Sequence, residues 1–295
     1  LVKTEQELGK TTDEMEKAEK AADEMGKEIK DSGEQADDAK GKFSGFTSVL
    51  SGMGTALKAA AAATAAAVAG AATAIGALTT KAIEGYAAQE QLVGGVETLF
   101  KTSSDTVVGY ANDAYKTAGM SANEYMETVT SFSASLLASM NNDTAAAAEK
   151  ANVAITDMSD NANKMGTDIS LIQNAYNGFA KQNYTMLDNL KLGYGGTKEE
   201  MQRLLDDASK LSGIKYDISS YSDVVDAIHV VQTEMGITGT TAKEAATTIQ
   251  GSIASAKAAW TNLQTGLADE NADLDALVGE LVDSVVTVID NIAPR

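Results

Sequence analysis

The chain of 295 residues has a formal net charge of -19, 5% aromatic side chains, one proline, 25 glycines and no cysteine. That acidity excludes a nucleic-acid groove, because holding phosphates needs a basic surface that releases counterions, and the lack of cysteine excludes disulfides and thiolate metal sites. Abundant Ala, Thr, Lys, Glu and Asp predict an all-α chain of one or two domains, with the glycines marking frequent helix ends.

Leu1 opens the chain, and no charged stretch followed by a short apolar run marks a signal peptide, so the chain is expected to begin inside a longer protein. Residues 1–43 read as a charged, coiled-coil-like helix, with Leu1, Leu8, Met15, Ala22, Ile29, Ala36 and Phe43 seven apart. The second apolar row is poor, and Gly26 and Gly33 each cost about 1 kcal/mol in a helix interior. A self-associating coil and a solvated single helix both fit.

Residues 44–85 read as a Gly- and Ser-rich hinge followed by an alanine-rich hydrophobic helix, uncharged from Ala59 to Thr80. As a helix this stretch would span about 30 Å of hydrocarbon, yet Val68, Ile75 and Leu78 are its large apolar residues and insertion is marginal. Small residues four apart, such as Ala62, Ala66 and Gly70, let backbones approach closely. Three readings stay open: a helix packed on other helices, one that packs in one state and enters lipid in another, and a permanent anchor.

Residues 86–259 are expected to form a compact multi-helix bundle. Leu92, Val96, Leu99 and Phe100 share a face, and Ser103 or Ser104 can cap a helix that Gly119 ends. Ser121 to Glu124 is a capping box opening a helix with Tyr125, Val129, Phe132, Leu136 and Met140 on one stripe. A helix over 145–158 is followed by SDNANKMGT, which reads as turn material. Next come a helix over 168–179, an apolar stretch over 185–192, a GYGG loop and a second capping box at Thr197 to Glu200 opening Lys198 to Leu211. Tyr216 to Ser220 reads as a brief extended piece, Ser222 as the cap of a helix to Met235, and Thr240 or Thr241 as the start of another.

From Trp260 to the end, residues 260–295, a C-terminal amphipathic helix is expected. Its seam of Leu267, Leu274, Val278, Leu281, Val285, Val288 and Ile292 suits self-association into a homo-oligomer.

No residue set argues for catalysis, a cofactor or a metal. His229 reads as a core histidine without a second nitrogen or sulfur ligand, Asp157, Asp160 and Asp168 lack the EF-hand order, and Gly193 to Thr197 lacks a GK[ST] end.

Five stretches occur in one order: 89–100 (QEQLVGGVETLF), 115–136 (YKTAGMSANEYMETVTSFSASL), 157–166 (DMSDNANKMG), 174–195 (NAYNGFAKQNYTMLDNLKLGYG) and 236–251 (GITGTTAKEAATTIQG). With them, the chain resembles tail tape measure proteins of long-tailed bacteriophages and prophages over roughly Ile83 to Asp269. It looks like one internal piece, since it holds neither a peptidoglycan-cleaving domain nor long repeats. The resemblance implies a non-enzymatic virion component encoded in a phage or, in a lysogen, a prophage. Its copies would lie extended in the tail lumen, meet tail tube and tail tip proteins, set tail length, and leave ahead of the DNA into the host envelope. The host membrane would be a contact, through Ala59 to Thr80, and sequence-specific nucleic-acid binding is not expected. The short helices from Ile83 to Gly251 are a poor ruler and are expected either to fold compactly once ejected or to be the portion that meets the cell membrane. A membrane-associated or pore-forming bacterial helical protein is the alternative reading.

Overall fold

The computed structural model describes residues 71–269 and 271–292, and the side chains of 71–80 fall outside that description. The expected heptad helix, the hinge and positions 59–70 of the alanine segment also lie outside the described residues. Within them the protein is all-helical. Ten α-helices follow in order: α1 (Ala71–Phe100), α2 (Ser104–Thr117), α3 (Ala122–Ser139), α4 (Thr144–Met165), α5 (Ile169–Phe179), α6 (Lys198–Ser212), α7 (Tyr221–Glu234), α8 (Thr240–Thr247), α9 (Ile249–Gly266) and α10 (Leu274–Ile292). Short 3-10 turns occupy Lys101–Ser103 and Leu187–Leu190. Among the described residues no helix is long and apolar enough to cross a membrane.

The described residues form two compact units, 71–87 with 263–283 and 88–262 with 284–292. In the first, Gly85 is a place of close approach. A Cβ there would stand 2.7 Å from Thr265 Oγ1, so glycine lets α1 pass near α9 and the helix continues through the point where the sequence predicted a break.

In the second unit α4 is the hub, packing against α2, α3, α5, α7 and α8. Its buried positions explain how one helix touches so many others: Ala147, Ala148, Ala151 and Ala154 keep its surface narrow, so neighbouring backbones approach on several sides. Around it the large side chains Tyr115, Tyr125, Phe132, Tyr176 and Phe179 are almost wholly buried. The Tyr125 hydroxyl donates to Asn152 Oδ1 at 2.9 Å, tying α3 to α4.

The helix ends follow local chemistry. Ser121 and Glu124 form the expected reciprocal capping box. Thr197 accepts from Glu200 N as expected, but the Glu200 carboxylate takes Gly195 N at 2.9 Å instead of the cap amide. Four expectations need correction. Ser103 Oγ makes no cap bond and pairs with Thr144 Oγ1 at 3.0 Å. Ser220 caps α7, whereas Ser222 lies inside it, its amide donating to Ser139 Oγ. No strand forms at Tyr216, which packs into the core with its hydroxyl on Ser212 Oγ. The helix begun at Ala145 does not stop at Met158 but runs to Met165, where Gly166 takes φ 62°. That left-handed conformation is open to glycine without a Cβ penalty.

The C-terminal seam is divided. Trp260 belongs to α9, which ends at Gly266, and a new helix starts at Leu274. Within the single chain Val278, Leu281, Val285 and Val288 are buried, and Leu274 and Ile292 half-buried.

Candidate functional site

Where the expected turn SDNANKMGT begins, residues 157–161 are the most polar buried stretch among the described residues. Asp157, Ser159, Asp160 and Asn161 are all buried in the second half of α4. Burying such groups is costly unless each finds a partner, and three neighbouring elements supply partners.

Asp157 faces α7. His229 Nδ1 lies 2.9 and 3.0 Å from its two carboxylate oxygens, which fixes that nitrogen as the donor. One turn on, Gln232 Nε2 donates to the Asp157 carbonyl at 3.4 Å. Two turns earlier Lys150 pairs with Asp226. The partners advance in the same direction along α4 and α7, so the two helices run parallel with a polar seam between them. The hydrogen bond to Asp157 holds the His229 imidazole above its ordinary pKa, and Asp226 and Asp160 add to the effect. Burial pushes the Asp157 carboxyl up, and His229 pulls it back. His229 is not the core histidine the sequence suggested: its side chain is 38% exposed. Among the described residues its ring hydrogen bonds go to Asp157.

Asp160 serves a different end. Its carboxylate accepts from the amides of Gly239 and Thr241, the latter at 2.7 Å, and its carbonyl accepts from the Thr240 hydroxyl. These amides open α8, so a carboxylate from α4 caps a distant helix where the exposed N–H groups and the helix dipole favour negative charge. Asn161 Nδ2 donates to Leu190 O at 3.0 Å and secures the 3-10 turn. Asp168, the third acid of the predicted cluster, is elsewhere: it caps α5 by accepting from Ser170 N at 2.8 Å. The three carboxylates therefore point to three different partners, and among the described residues no group of three acidic, His or Cys side chains is placed to hold a metal.

A cleft of about 550 Å³ opens beside the seam, walled by α3, α5 and the α8–α9 region. Two side-chain pairs brace its walls: Gln173 Nε2 donates to Thr128 Oγ1 and Ser131 Oγ to Asn177 Oδ1, both at 2.9 Å. About half of the lining residues carry a side-chain amide or hydroxyl, the rest are mostly small or aliphatic, and none is Lys, Arg, His or aromatic. Ser159 and Thr241 border the cleft, and their buried hydroxyl oxygens have no partner. Sequence reading missed the cleft and the seam. The signal for the seam was present in the polar residues Asp226, His229 and Gln232 spaced three apart, opposite Lys150 and Asp157 spaced seven apart. Nothing in sequence spacing marks the cleft, which joins four separate segments.

Of the packing segment singled out in sequence, Ala62, Ala66, Val68 and Gly70 lie outside the described residues, and Ile75 and Leu78 are placed by backbone alone on α1. Comparisons with family models, curated proteins and solved structures return no match for this chain.

Proposed function

We propose that this chain is an internal segment of a tail tape measure protein, a structural component of a long phage tail that sets tail length and assists DNA delivery across the host envelope. The observation that carries the reading is the order of the five sequence stretches that resemble that family. Four of them converge in space: every residue lining the cleft except Ile169, Ser170, Gln173 and Ala254 comes from 115–136, 157–166, 174–195 or 236–251. The same stretches provide Asp157 of the seam, and both Asp160 and the α8 amides it accepts from.

In this reading the protein carries out no chemical step. Residues 88–262 are a compact helical body that adds little length per residue. Its partners are further copies of itself and the tail tube and tail tip proteins, and the host membrane is met after ejection. The test is mass spectrometry of purified virions. Peptides of this chain should be found in intact tails, shielded from added protease, and should become cleavable once ejection is triggered. Particles that lack them, or in which they are cleaved before ejection, would refute the assignment.

A further inference from the structure

The lining of the cleft specifies a ligand more narrowly than its volume does. At about 550 Å³ it lies within the range of about 300–1,000 Å³ typical of small-ligand sites. Its lining holds no cation, which removes the groups that recognise phosphate or carboxylate. It has no aromatic face on which a planar base or ring could stack. What remains is a set of side chains that both donate and accept: Asn174 and Gln250 carry no hydrogen bond within the chain, Gln173 and Asn177 each spend one group on bracing, and the Ser159 and Thr241 hydroxyls have no partner. Amides and hydroxyls of this kind match a ligand whose own groups are hydroxyls and amides. Met120 and Ile169 add an aliphatic wall suited to the C–H face of a ring. Two carboxylates stand at the rim: Glu124 is bonded to the Ser121 amide and hydroxyl, and Glu127 is exposed, so the charge of the cleft is acidic and disfavours an anionic ligand further.

We propose that this cleft binds a neutral oligosaccharide through Asn174, Gln250, Gln173 and Asn177. An extended peptide is disfavoured because main-chain pairing of such a segment needs a sheet edge, and the walls of the cleft are helical. The proposal stands on the cleft alone and does not depend on the tail assignment.

Isothermal titration calorimetry on the full chain tests it, with chitotetraose and maltotetraose as neutral probes, a heparin-derived tetrasaccharide as the anionic arm and tetra-alanine amide as the peptide arm. At least one neutral sugar should bind with a Kd of roughly 1 mM or tighter, with no heat from the anion or the peptide. Asn174→Ala and Gln250→Ala should each weaken binding about two- to tenfold, the range for one lost hydrogen bond. Both side chains are exposed and unbonded in the chain, so the variants should keep the wild-type circular dichroism. No heat from either neutral sugar up to roughly 10 mM, unchanged affinity in the double variant, or binding of the peptide or the anion at this cleft would overturn the proposal.

Discussion

Replacing Asp160 by alanine should be among the most damaging single changes in the 88–262 unit. The side chain is fully buried and accepts from two amides, Gly239 N and Thr241 N, at the start of an eight-residue helix. A buried donor left without an acceptor costs about 1–3 kcal/mol, and the lower end applies to Gly239, which is exposed. Losing the negative group at a helix N-terminus adds about 0.3–1 kcal/mol. Water entering the vacated space would recover part of this, which leaves about 3–4 kcal/mol, a large share of the roughly 5–15 kcal/mol that stabilises a typical protein. Urea unfolding measures the total, and hydrogen exchange read by mass spectrometry locates it, since protection over 239–247 should fall before that of α4 does. Asp160→Asn keeps one acceptor but turns an NH2 toward the second amide, so its cost should be intermediate. A loss below about 1 kcal/mol for Asp160→Ala, with exchange over α8 unchanged, would refute the view that α4 builds α8 through this carboxylate.

Three further outcomes follow from other contacts. His229 has a raised pKa in the folded chain, so its contribution is complete below about 6.5, the unfolded value, and is lost as pH rises through the folded value. Urea midpoints should therefore decline as pH rises above about 6.5 in the wild type and much less in His229→Asn, and equal slopes would contradict the Asp157 pairing. Gly196→Ala should cost about 2–3 kcal/mol of overpacking, because a Cβ there would collide with the Thr185 backbone carbonyl. Gly94→Ala, in open space within α1, should instead gain about 0.5–1 kcal/mol. Thermal melts of the pair distinguish a glycine required by packing from one that is not.

Local signals in the sequence were legible where the chain's own neighbours decide the outcome. Ser121 and Glu124 sit three apart and cap α3 as read, and the apolar stripe Tyr125, Val129, Phe132 and Leu136 is buried. Reading failed where tertiary contacts override local preference. SDNANKMGT has the composition of a turn, but Asp160 and Asn161 find partners on α8 and at Leu190, so the helix continues through them. Gly85 looked like a helix end, yet its missing Cβ answers a need for space beside Thr265. Ser220, not Ser222, caps α7, its hydroxyl accepting from the Asp223 amide, while the Ser222 amide donates to Ser139, 83 residues earlier in the chain. The cleft could not be read at all, since its walls come from segments that only folding brings together.

The proposed tail role is tested most directly by tail length. In-frame removal of residues 1–82 from the parent protein, followed by electron microscopy of assembled particles, should give tails shorter by up to about 120 Å, from a helical rise of 1.5 Å per residue. Tails of unchanged length, or a complete failure to build tails, would contradict a ruler and favour an accessory membrane-active protein.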